Sequence, residues 1–178
     1  MRFLSELYRL SKAHDVVHLV GDSLSKCGVF ANLQDMLEEN ERAAIAKVKD
    51  KFDEQIFTAM YRYENINYEL ERLKETLEEA EIPFIPLKGS VFRKYYPEPW
   101  MRTSCDIDVL VKKEDLDKAS LCLTNNLQYL KEERATHDIS FFSPNGVHIE
   151  LHFDLVEEGR AKNAIKILSG VWEQGSCQ

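Results

Sequence analysis

The 178-residue chain is poor in the residues that break regular structure, with seven glycines and five prolines. That scarcity excludes collagen-like and low-complexity architectures and favours a helix-rich globular fold. Its four cysteines, Cys27, Cys105, Cys122 and Cys177, are scattered without a CxxC pair. Neither a disulfide framework nor a cysteine-based zinc site is expected from such spacing, and the thiols read as free in a reducing compartment. Basic charge is in deficit too: 23 Lys and Arg stand against 31 Asp and Glu, a net −8. A dedicated duplex-DNA binder normally carries a basic face, so that class is disfavoured. No apolar run approaches the roughly 20 residues needed to span a bilayer. The opening MRFLSELYRLSKAHD is broken by charge and lacks the apolar core of a signal peptide. A cytoplasmic location is the simplest expectation.

What is present divides into two grammars. Residues 3–19 carry apolar side chains at helical offsets, with a turn expected between Gly21 and Gly28 and helix resuming near Leu33. The longest pattern then runs from Ile45 through Val48, Phe52, Ile56, Ala59, Tyr63, Ile66, Leu70, Leu73 and Leu77 to Ala80. Steps of three and four keep one apolar stripe on one helix face. Two readings fit: a coiled-coil helix that makes a homodimer, or one long helix lying along its own domain. At Pro83 the period shortens. Strands are expected at 84–87, 107–111, 127–131, 139–142 and 147–153, with short helices at 91–95 and 115–125 and a further helix at 160–172. Pro144-Asn145-Gly146 marks a hairpin turn, since Asn-Gly readily takes positive φ. The predicted fold is therefore α+β: a helical region over 1–82, then a small mixed sheet with flanking helices over 83–178.

Three features of the second region carry chemistry. Leu87-Lys88-Gly89-Ser90 runs a strand into a helix start; a residue without Cβ lets a phosphate approach the backbone, with Ser90 and Lys88 as further donors. Asp106-Ile107-Asp108 places two carboxylates on one strand face about 7 Å apart, an arrangement that a divalent cation relieves. His148-Ile149-Glu150-Leu151-His152-Phe153-Asp154 alternates polar and apolar, so Glu150 on a neighbouring strand could complete a metal site. The same stripe also suggests zinc, although an extended strand spaces four such ligands too widely for one ion. His152 could equally be a core histidine bonded to the adjacent strand.

In order, a Gly-Ser helix turn, a DxD strand and a later acidic strand residue resemble the signature of the DNA polymerase β-like nucleotidyltransferases. More narrowly, LKGSVFRKYYPEPWMRTSCDIDVLV followed by VHIELHFDL, with LSKAHDVVHLVGDSL near the start, is similar to a nucleotidyltransferase family of bacterial genomes. The resemblance implies transfer of a nucleoside monophosphate from an NTP to an acceptor it does not identify. Asp106, Asp108 and Glu150 would be the catalytic, metal-holding carboxylates, for Mg²⁺ or Mn²⁺. Lys88, Gly89, Ser90 and Arg102 would bind the nucleotide, with His152 in support. It also implies more helical sequence after the His152 strand than is found here, so part of the substrate-binding half is expected to be missing or to come from another subunit. The alternative reading is an inactive nucleotide-binding or helix-mediated interaction protein.

Overall fold

The computed structural model describes residues 2–155 and 172. Its helices are α1 (Arg2–Ala13), α2 (Val17–Lys26), α3 (Val29–Met36), α4 (Glu39–Glu79), α5 (Lys88–Phe92) and α6 (Leu116–Asn125). The strands are β1 (Phe84–Pro86), β2 (Asp106–Val111), β3 (Leu130–Arg134), β4 (Asp138–Phe142) and β5 (His148–His152). The fold is α+β, as expected. The chain divides into two compact units, one ending at Tyr63 and one beginning at Glu64. The helix expected at 160–172 lies outside the described residues except at Trp172.

The first unit is helical. Leu4, Val17, Phe30, Ile45, Val48 and Phe52 form its core, with Tyr8 edge-on to Phe52 at 5.1 Å. The sequence predicts a helix through 3–19 and a break at Gly21, and here the structure differs. The chain turns at Asp15, whose φ is +54, and the amide of Val16 donates to the Ser11 carbonyl. This is a Schellman ending, which needs a left-handed residue but not a glycine. Gly21 instead lies buried inside α2, where an added Cβ would stand 3.0 Å from Phe52 Cβ. Its role is close approach between helices rather than a turn.

The long apolar stripe is covered within the chain. Its first part belongs to the core just described, while Ile66, Leu70, Leu73 and Leu77 enter the core of the second unit. That unit is built on a five-stranded sheet ordered β1-β2-β5-β4-β3. β2 and β5 are parallel, and the other neighbours are antiparallel. Side chains alternate across it. Ile107, Val109, Val111, Ile139, Phe141, Ile149 and Leu151 face the helical core with Leu116, Ala119 and Leu123 of α6. The opposite face carries Asp106, Asp108, His148, Glu150 and His152.

Several local devices hold this unit together. α4 ends with Glu81 at φ +54 and the Ile82 amide bonded to the Leu77 carbonyl, a second Schellman ending without glycine. The β4–β5 turn uses Gly146 at φ +77, as the Asn-Gly pair predicts. Strand β3 begins three residues later than the periodicity suggests. Leu127 still bonds back to the Cys122 carbonyl, and Gln128 takes φ +59 before the strand can start. Glu69 of α4 is fully buried, yet it accepts from Tyr129 Oη at 2.7 Å, Asn145 Nδ2 at 2.8 Å and Arg72 Nη1 at 3.3 Å. No helix among the described residues is long and apolar enough to cross a membrane.

Candidate active site

The parallel pairing of β2 with β5 sets the site. Its register matches Asp106 with His148, Asp108 with Glu150 and Leu110 with His152. Apolar residues between these positions are held in the core, so the polar set is forced onto the other face as a unit. A one-residue slip would bury the carboxylates and expose Ile107 and Ile149, which makes the register strongly specified.

Asp108 is the centre. It is 2% exposed, and its Oδ1 accepts from Lys88 Nζ at 2.7 Å and lies 3.0 Å from His152 Nε2. His152 Nε2 is also 3.2 Å from Glu150 Oε2. The ligand atoms of Asp108, Glu150 and His152 all lie within 4.8 Å of one another. Among the described residues, this is the group of metal-ligating side chains that converges. Asp106, at the outer end of β2, is outside that group, as are His148 and Asp154.

The two carboxylates are driven apart in acidity. Burial works to raise the Asp108 carboxyl, but hydrogen bonds from His152 and Lys88 outweigh it and hold the group down at about 2. Glu150 moves upward, first through burial and then through its hydrogen bond and repulsion with Asp108. Lys88 is held above the usual lysine range chiefly by its bond to Asp108, with Glu150 and Asp106 adding attraction.

The glycine turn lies alongside. The Leu87 amide donates to the Asp108 carbonyl at 2.9 Å, which fixes the start of α5 to β2. Lys88 takes φ +40, an uncommon conformation for a residue with a side chain. Gly89 is buried; a Cβ there would stand 3.1 Å from Ser104 Cβ. Ser104 in turn accepts from the buried Arg93 guanidinium. Ser90 Oγ and Arg102 Nε are buried and have no hydrogen-bond partner among the described residues. Buried polar atoms are seldom left so, and both are donors suited to an anionic oxygen. Arg102 also lies 5.9 Å from the centre of the exposed Phe92 ring.

Two neighbours were not marked by the sequence patterns. His137 stacks on His152 at 5.7 Å, and its Nε2 is 3.4 Å from the buried Asp138. Asp138 stands opposite His152 in the β4–β5 register. The alternation Asp138-Ile139-Ser140-Phe141 was the available signal, since it puts Asp138 on the same face as Glu150.

A family model described as "Uncharacterised nucleotidyltransferase" matches residues 4–176. No curated protein matches closely enough to add to that assignment. The match spans nearly the whole chain, and the chain belongs to this family of nucleotidyltransferases.

Proposed function

We propose that this nucleotidyltransferase moves a nucleoside monophosphate from an NTP to an acceptor hydroxyl or phosphate oxygen and releases pyrophosphate. The acceptor oxygen forms a bond to the α-phosphorus as the bond to the pyrophosphate oxygen breaks. The observation that supports this most is the β2–β5 register, which sets Asp108 beside Glu150 next to the glycine turn.

The donor set suits a divalent cation, since two carboxylates and an imidazole converge and the Lys88 ammonium already rests on one of them. Asp108 and Glu150 would hold it, with Asp106 reaching in from the outer end of β2. When bound, such a cation offsets charge on the triphosphate and acidifies the acceptor hydroxyl.

The protein groups do the rest. Gly89 keeps the bend open, Ser90 Oγ and Arg102 Nε donate to phosphate oxygens, and Lys88 turns from Asp108 toward the departing pyrophosphate charge. The separation in acidity assigns roles: Asp108 stays ionised, while Glu150, with its raised affinity for protons, receives the proton of the acceptor.

The test is thermal shift with ATP, GTP, CTP and UTP, each with and without divalent metal, on the wild type and on Asp106→Asn and Asp108→Asn. Metal-dependent stabilisation in the wild type that disappears in the variants is expected. Unchanged nucleotide binding in both variants would overturn the assignment. Labelled NTP incubated with a cell extract then identifies the acceptor by which molecule acquires label.

A further inference from the structure

We propose that the cation site is built around the imidazole of His152, with Asp108 and Glu150 as its other two ligands, and therefore prefers Mn²⁺ or a similar first-row transition ion to Mg²⁺. This rests on the reading above in taking the cleft between β2 and β5 as the cation's seat.

Four observations carry it. First, His152 Nε2 lies 3.0 Å from Asp108 Oδ1 and 3.2 Å from Glu150 Oε2, so one nitrogen faces both carboxylates. A single ion between the three donors replaces both contacts at once. Second, the imidazole is fixed in place. His152 is 5% exposed, its ring stacks on His137, and Thr136 Oγ1 lies 3.2 Å from His137 Nδ1. A ligand ring already oriented loses little freedom when it binds.

Third, Lys88 already provides a cation at the same Asp108 oxygen, at 2.7 Å, while the rest of its side chain is 62% exposed. It can swing into solvent and leave a charge-shaped vacancy at the carboxylate. Fourth, Asp106 is excluded from the converging group although it shares a strand face with Asp108. The nitrogen donor stands where an all-oxygen set would have needed that carboxylate.

The chemistry of the donors decides the metal. Mg²⁺ takes oxygen ligands in strict octahedral geometry and keeps much of its water. Imidazole suits Mn²⁺, Fe²⁺, Co²⁺ and Zn²⁺, with affinity rising along that series for a mixed nitrogen and oxygen site.

The experiment uses the full chain, stripped with a chelator and free of nucleotide. Mn²⁺ binding is followed by the loss of its free-ion EPR signal, with Mg²⁺ as competitor, and Co²⁺ is added separately to read its visible spectrum. Mn²⁺ is expected to bind about tenfold or more tightly than Mg²⁺. The Co²⁺ bands should report a nitrogen ligand. His152→Ala and the bulkier His152→Gln should both abolish the preference, and Asp106→Asn should retain it.

Equal affinity for the two ions in the wild type would overturn the proposal. So would an all-oxygen Co²⁺ spectrum, which reads the intact protein even where a variant fails to fold, or a preference surviving in folded His152 variants. Because no NTP is present, failure here leaves the transfer reaction to its own assay. Conversely, absence of transfer would not alter the measured metal preference.

Discussion

The second unit contains two buried acidic centres, and they are held in different ways. Glu69 sits on the helix that covers the apolar face of the sheet, gripped by a phenol, an amide and a guanidinium. Asp108 sits on the other face, held by a largely exposed ammonium and an imidazole. The first set is fixed: burial and the adjacent Glu69 push the Tyr129 phenol far above its ordinary value, so it remains a donor at any ordinary pH. The second set is exchangeable, since the lysine can leave and the imidazole can accept a metal. Partners that cannot leave mark a structural carboxylate, and partners that can leave mark a working one.

The sharpest way to break this contrast is to remove each carboxylate. Glu69→Ala strands three donors in the core and should lower the unfolding free energy by about 3–5 kcal/mol in urea titrations. Asp108→Asn should instead reduce nucleotidyl transfer by about 10²–10³-fold with a much smaller change in stability. Equal stability losses in both would erase the distinction.

Removing one donor sharpens it further. Tyr129→Phe leaves Glu69 short of a hydrogen bond inside the core and should cost about 1–3 kcal/mol, with transfer activity intact.

Acid titration gives a smaller effect, because the two groups of the working centre oppose each other. Asp108 has a folded value of about 2 against an ordinary 3.8, so its stabilisation is full above 3.8 and fades as pH falls toward 2. Glu150 is raised, so its contribution is present below 4.5 and fades as pH rises through its folded value. Asp108→Asn should flatten the loss on the acid side, measured as unfolding midpoint against pH. The smallest expected change lies outside both centres. Glu81→Gly relieves the left-handed end of α4 and should add about 0.5–1 kcal/mol while altering neither metal binding nor transfer.

Much of this architecture was legible because the hydrophobic period changes cleanly at Pro83. The long helix, four of the five strands and the hairpin turn follow from spacing alone. The endings at Asp15 and Gln128 were not legible, since both are left-handed turns made by residues that carry side chains. Gly21 misled for the reverse reason, as its smallness serves helix packing and not a bend. At the site, alternation placed Glu150 and His152 on one face and Asp106 and Asp108 on another strand. Which of them meet depends on the strand register, a long-range property that no local pattern encodes. The same holds for His137, which reaches the site only through β4.

The pairing of β2 with β5 also bears on the order of folding. These neighbours are separated in sequence by α6, β3 and β4, so they meet only after a long loop has closed. The β4–β5 hairpin and the Schellman-capped helices rest on local contacts and can form early. Assembly of the acidic cleft therefore coincides with the last ordering of the sheet, and no partly folded chain lacking β5 can present it.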